Sequence, residues 1–236
     1  MRALAIDTST ETAGVALCDG TICVARRPLD PHHPAASEPG RHAERLLGLI
    51  EGVLEEAGWK KRELELVACC VGPGSFTGVR VGVATAKGIA LALGLPIVGI
   101  GSLEVMAHAY FARTSAAKDD EGVIALLDAR KGEVFWAAYA STGALLAGPG
   151  HLAATQIAEV ASQVPRPKIR YVGEFARGLP IEPTWVVTGA DTDRPDAVVL
   201  ARLAIAALAR RGPDDLDALE PAYVRPPDIT LPTASS

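Results

Sequence analysis

No uninterrupted apolar stretch in this sequence approaches the ~20 residues that a membrane-spanning helix requires. The longest one near the C-terminus, residues 198–209, is broken by Arg202, and the N-terminus offers only residues 3–6 before Asp7, too short for a signal-peptide core. The expectation is a cytoplasmic protein with no membrane partner. CxxC spacing is also missing. Of Cys18, Cys23, Cys69 and Cys70, the last two are adjacent in an apolar strand and must point to opposite faces, which reads as buried free thiols and not as a metal site or a disulfide. Long runs of Lys or Arg are lacking as well, and the net charge is −5. If the protein works on RNA, another component must supply most of the grip on the phosphate backbone.

What the 236 residues do contain is 49% hydrophobic side chains, enough for one large domain or two small ones. Residues 2–6, 13–18 and 21–26 read as a three-stranded meander, with Asp19 and Gly20 as a two-residue turn. A Pro-rich loop over residues 28–40 leads to a helix over residues 41–57, whose apolar positions Ala43, Leu46, Leu47, Ile50, Val53, Leu54 and Ala57 keep helical period. A buried strand (66–71), a glycine-rich loop (72–78), a helix (79–93) and a strand (97–100) follow. After a helix from Ser102 and a polar linker over residues 114–120, the theme recurs. Strands are expected at 123–127, 133–139, 144–147, 169–172 and 184–187, with helices at 155–164 and 196–211. Two βββαβα-like halves imply an internally duplicated α/β protein with a mixed sheet in each half. The expected division is residues 1–107, residues 108–225 with a last helix that either half could hold, and a disordered tail from 226 to 236.

Two helices depart from the usual polar outer face. The helix over residues 79–93 has only Arg80 and Lys87 as charges, while Ala84, Gly88 and Ala92 form one small-residue stripe and Gly82, Ala86 and Ala90 another. In the helix over residues 41–57, Gly48 and Gly52 sit one turn apart, away from the apolar stripe. An interior glycine costs about 1 kcal/mol relative to alanine, so close approach of a second backbone should compensate. Two readings stand: a docking face completed by another subunit, or a helix sandwiched within this chain. On the first, the candidate partner contacts are His42, Arg45, Gly48, Leu49, Gly52, Arg80, Ala84, Lys87, Gly88 and Ala92.

The loop Gly72-Pro73-Gly74-Ser75-Phe76-Thr77-Gly78 lies between strand and helix, where free amides attract anions. It is not a Walker loop: the outer glycines are wrongly spaced, and Val79 and Arg80 stand where Lys and Ser or Thr are needed. A tight turn with Ser75 or Thr77 capping the helix is the favoured reading.

The string VGPGSFTGVRVGVATAKGIALALGLPIVGIGSLEVMA over residues 71–107 resembles the signature region of the TsaB (YeaZ) family. LAIDTST (4–10), RHAERLLGLIE (41–51), LLDARKGEVFWAAY (126–139) and PAYVR (221–225) match in family order, whereas residues 151–211 match in pattern only. The resemblance implies an α/β fold of the actin/Hsp70-like (ASKHA) type. It also implies a partner, the catalytic paralogue TsaD. With the ATPase TsaE, the pair would support threonylcarbamoyl transfer to N6 of the adenosine beside the anticodon in tRNAs reading codons that begin with A. On this resemblance the chain is a non-catalytic subunit that contacts tRNA only through the complex and forms a homodimer in isolation.

TsaD-type proteins bind metal through an HxxxH pair; here His32, His33, His42, His108 and His151 include no two that are four apart. The nucleotide cleft of the fold asks for acidic residues in both halves, at positions held by Asp7 and Asp128. However, Asp128 is followed by Ala129, Arg130 and Lys131 instead of glycine, and Gly173 is followed by Glu174. The candidate nucleotide or anion contacts are Asp7, Thr8, Ser9, Asp128 and Arg130. No cofactor is expected to bind autonomously, with ATP and Mg confined to the complex. The alternatives are an ATP-dependent phosphotransferase using Asp7 and Asp128 at Mg, and a peptidase, for which no GxSxG elbow surrounds Ser9, Ser75 or Ser102.

Overall fold

The computed structural model describes residues 1–12, 14–28, 42–113, 120–187, 189 and 192–225. Most of the Pro-rich loop, residues 114–119 of the linker, the tail and the side chain of His42 lie outside the described residues. The first half opens with strands β1 (Arg2–Asp7), β2 (Gly14–Asp19) and β3 (Ile22–Pro28), then helix α1 (His42–Ala57), β4 (Leu66–Gly72), α2 (Phe76–Leu93) and β5 (Ile97–Gly101). Their sheet runs β3-β2-β1-β4-β5, antiparallel across the meander and parallel from β1 outward. After α3 (Ser102–Arg113) come β6 (Glu121–Arg130), β7 (Glu133–Ala140), β8 (Leu145–Ala153), α4 (Ile157–Gln163), β9 (Lys168–Val172), β10 (Val186–Val187) and α5 (Ala197–Arg211). The second sheet, β10-β9-β6-β7-β8, repeats the first strand for strand.

Both sheets are covered on both faces, which explains the continuous apolar run of β4. Val67 and Cys69 face α1 and α2, while Leu66, Ala68 and Cys70 face α5. The helix that follows each sheet crosses to the other half. Leu103, Met106, Ala107 and Tyr110 of α3 pack on the second sheet, and Leu200, Ala201, Ala204 and Ala207 of α5 pack on the first. The last long helix therefore belongs to the first half in space, and α3 straddles the boundary expected at residue 107. Small residues along α5 let its backbone lie close to the strands, and Asp196 caps it by accepting from the backbone N–H of Val198 and Val199 at 2.7 and 3.2 Å.

Several expectations need adjustment. The hairpin turn is Gly20-Thr21, because Asp19 still pairs with Ile22. Helix α2 begins earlier than expected, at Phe76, and Ser75 caps it by accepting from the Gly78 N–H. It is long and apolar enough to cross a membrane by length and composition alone, at 18 residues with mean hydropathy 1.3. Counting uninterrupted apolar residues missed this because Arg80 and Lys87 break the run. Val79, Gly82, Val83, Ala86 and Ala90 of this helix are buried on the sheet. The region expected as one helix over 155–164 is a 3-10 turn followed by α4, and Pro183–Trp185 forms a 3-10 turn before the two-residue β10.

Candidate functional site

Between the halves lies a cleft of about 1060 Å³, lined by the loop after β1, the N-terminal turn of α2, the β6–β7 hairpin, residues 174–180 and the segment 221–225. On the first half, the loop after β1 that lines it rests on three glycines at four-residue spacing, of which Gly74 itself reaches the cleft. A Cβ on Gly74 would stand 2.1 Å from the Ser9 carbonyl oxygen, one on Gly78 2.1 Å from that of Thr8, and one on Gly82 2.1 Å from Thr8 Oγ1. The loop after β1 thus lies directly on the glycine stripe. Thr8 Oγ1 donates to the Gly78 carbonyl at 2.7 Å, and the Ser75 N–H donates to the Ser9 carbonyl at 2.7 Å. Two amides at this helix start are engaged within the chain, Ser75 by the Ser9 carbonyl and Gly78 by the Ser75 side-chain oxygen.

Asp7 is 1% exposed. Its Oδ1 accepts from the Ser9 N–H at 3.0 Å and from Ser9 Oγ at 2.6 Å, while Oδ2 faces the Cys70 thiol without a conventional hydrogen bond. Burial raises the carboxyl above its usual value, against the bonds from Ser9. A raised folded-state value means that the contribution to stability is complete at low pH and is lost as pH climbs through the folded value. Asp7→Asn should therefore be more stable than the parent at neutral pH, by a margin that shrinks as pH falls toward the ordinary carboxylate range. Urea midpoints across pH check this, and a margin independent of pH would refute it.

Of the candidate anion contacts, Ser9, Asp128 and Arg130 line the cleft, whereas Asp7 and Thr8 do not. Arg130, in left-handed backbone at φ 67°, donates its N–H to Asp128 Oδ1 at 2.7 Å and pairs through its guanidinium with Asp128 and, across the cleft, with Glu11. Arg194 is held by Glu174, and Arg225 by Glu133 and the Ala129 carbonyl. These residues do not fit a magnesium nucleotide. One carboxylate is buried behind its own loop, and the other is neutralised by the arginine two residues on. Gly173, at φ 118°, packs against the Leu126 carbonyl and leads into Glu174, so no open glycine pair receives a nucleoside there.

The second candidate surface is the outer face of α1 and α2, which cover the same side of the first sheet. Ala84, Gly88 and Ala92 are exposed, and a Cβ on Gly88 or Gly48 would meet nothing within 4 Å. Leu91 is 71% exposed and Leu47, expected on the buried stripe, is 48% exposed. Other candidates sit elsewhere. Gly52, expected on the outer side, is buried under the Arg27 guanidinium, and Leu49 packs on the core. Arg80 and Lys87 are engaged by the C-terminal segment. Lys87 Nζ donates to the carbonyls of Asp217 and Leu219, and Arg80 stacks on Phe76 and donates to Tyr223 Oη at 2.6 Å. Arg45 is half-buried. The glycine stripe at 74, 78 and 82 and the strap over residues 214–225 escaped the sequence reading. Four-residue glycine spacing was the available signal for the first; nothing local signals the second.

The twofold β-sheet repeat, the exchanged helices and the intervening cleft define the actin/Hsp70-like class of α/β proteins. The model of the family described as "TsaD: tRNA N6-adenosine threonylcarbamoyltransferase" matches residues 34–194. The chain is 39% identical over 140 residues to the tRNA threonylcarbamoyladenosine biosynthesis protein TsaB of Escherichia coli, covering 59% of this chain and 55% of that one. To the protein of the same name from Haemophilus influenzae it is 37% identical over 133 residues, 56% and 51% of the two chains. It thus spans about half the length of the curated relatives it matches. YeaZ from Pseudomonas aeruginosa superposes with a TM-score of 0.75 at 29% identity, over 94% of this chain and 99% of that one. A polyphosphate/ATP-glucomannokinase from Arthrobacter shares the fold, with a TM-score of 0.55 at 10% identity over 89% of this chain and 99% of that one. The chain belongs to the TsaB (YeaZ) family, within the wider group that the threonylcarbamoyltransferase model describes.

Proposed function

We propose that this protein is a non-catalytic subunit of tRNA threonylcarbamoyladenosine biosynthesis, docking the catalytic paralogue TsaD through the outer face of α1 and α2. The observation that carries the reading is that face itself. Ala84, Gly88 and Ala92 line up along α2 with open space above Gly88 and with Leu91 exposed on the same helix, while α1, which covers the same side of the sheet, exposes Gly48 and Leu47. Small residues let a partner helix approach at backbone distance, and each large aliphatic side chain fully covered there contributes about 1.5–3 kcal/mol. The same face, self-complementary about a twofold axis, makes the homodimer when TsaD is scarce.

In this role the chain positions TsaD for tRNA and for TsaE, and touches tRNA only through the complex. Its own cleft supports the non-catalytic part of the reading, since Asp7 is buried and Asp128 is paired with Arg130. Any ATP and Mg therefore act in the assembled complex and are not held by this chain alone. The deciding experiment is threonylcarbamoyl transfer to tRNA by TsaD, TsaE and the enzyme that makes the activated donor, with and without this protein. The expected result is transfer that depends on this chain, with none from the chain by itself. Full transfer in its absence would overturn the proposal, and saturable ATP binding by the isolated chain that Asp7→Ala abolishes would favour a phosphotransferase.

A further inference from the structure

The β2–β3 hairpin holds two thiols that the docking role does not use. Cys18 and Cys23 are register partners across the antiparallel ladder, one pair in from Asp19 and Ile22, which flank the turn at Gly20 and Thr21. Directly opposed residues of such a pair project from one face with Cβ atoms about 4.5–5.5 Å apart, a short step from the 3.5–4.5 Å or so of a disulfide. Both side chains pack into the cluster beneath α5, where the Cys23 thiol donates to the Ala25 carbonyl at 3.8 Å. Cys18 is buried, whereas Cys23, on an edge strand, is partly exposed. The other two cysteines differ: Cys69 and Cys70 are consecutive in β4 and face opposite sides of the sheet. Nor can Cys18 reach Cys70, because its neighbours across β1 are Ala3 and then Leu66, four residues back along β4.

We propose that Cys18 and Cys23 form a reversible oxidation site that accepts low-molecular-weight disulfides such as oxidised glutathione. The partly exposed Cys23 thiol gives up its proton to solvent, and the thiolate attacks one sulfur of the small disulfide. That S–S bond breaks, and one thiolate leaves and is protonated. Cys18 then loses its proton and attacks the Cys23 sulfur, expelling the second small thiol. Two protein thiols are oxidised and one small disulfide is reduced to two thiols. Burial, with Cys23 beside it, pushes the Cys18 thiol up to about 12, so the closing step is slow at neutral pH and accelerates as pH rises. The bond clamps β2 to the strand whose Arg27 covers Gly52 of α1.

The test uses the native full chain incubated with oxidised glutathione, then alkylated, digested with trypsin and weighed. Residues 3–26, bounded by Arg2 and Arg26, should appear as a peptide about 2 Da lighter than the reduced form that takes up no alkyl group. Residues 63–80, carrying Cys69 and Cys70, should stay fully alkylated. Cys18→Ser should instead retain glutathione on Cys23. Two alkylated thiols in the first peptide would overturn the proposal, as would a glutathione adduct in the parent that never yields to the internal bond. Equal oxidation of the second peptide would do so too, because it would mean that the thiols react only after unfolding.

Discussion

Gly88→Leu in α2 is expected to weaken association with TsaD, and self-association, by at least about tenfold, while the melting temperature of the monomer holds or rises slightly. Gly88 has open space above it and an ordinary helical backbone, so the added side chain meets nothing within the chain. Replacing an interior helical glycine by leucine recovers most of about 1 kcal/mol of helix propensity. In the proposed docking the cost falls on the partner, because a leucine raised between two close-packed helices would force them apart and forfeit contacts along the seam. A loss of about 1.4 kcal/mol already means tenfold in affinity. Isothermal titration with TsaD and sedimentation of the isolated chain check the two halves of the expectation. Unchanged association would place the interface elsewhere.

Ten residues earlier on the same helix, Gly78→Val is expected to do the opposite, lowering stability by about 3 kcal/mol or more. A Cβ here meets the Thr8 carbonyl at 2.1 Å, and that atom is backbone, fixed by β1 and by the bonds that hold its loop to α2. Relief requires the loop after β1 to lift, which breaks the Thr8–Gly78 and Ser9–Ser75 hydrogen bonds and exposes the pocket around Asp7. At roughly 2–4 °C per kcal/mol for a chain of this size, the melting temperature should fall by about 6 °C or more in a calorimetric scan. A melting temperature within a degree or so of the parent would refute this account of the glycine stripe.

These two glycines mark how far the sequence could be read. Small residues along the second helix were visible as two stripes, but the glycines that meet the backbone of the loop after β1, Gly74 and Gly78, belong to neither: Gly82 meets the Thr8 side chain and Gly88 faces open space. Which stripe approached what was not visible. Gly82, Ala86 and Ala90 turn inward to the sheet, and Ala84, Gly88 and Ala92 turn to solvent. An almost wholly apolar helix offers no polar face from which to set its rotation. Gly52 shows the same limit in α1: helical period put it on the outer side, but Arg27 from β3 folds over it, a contact between residues 25 apart in sequence that only strand pairing arranges. Leu47 followed the apolar pattern and is nevertheless half-exposed, because the sheet accommodates Leu46 and Ile50 and leaves no room for a wider stripe.

The chain's local chemistry determined a great deal alone. Alternation and apolar runs specified the meander and β4, the glycine-rich loop offered Ser75 or Thr77 as the cap of α2 without fixing its first residue, and the recurrence of the pattern announced a duplicated α/β protein. The motifs over residues 4–10, 71–107 and 126–139 pointed to the family. Tertiary structure alone decided which half each of α3 and α5 covers, since either sheet offers a suitable apolar face and the choice rests on how the two halves come together. It alone turned Asp7 inward, away from the cleft lining, and paired Arg130 with Asp128 and Glu11. It also laid residues 214–225 across α2, where Lys87 and Arg80 hold them. Period and propensity act within a few residues along the chain, whereas burial and ion pairing depend on distances that exist only after the sheets are assembled.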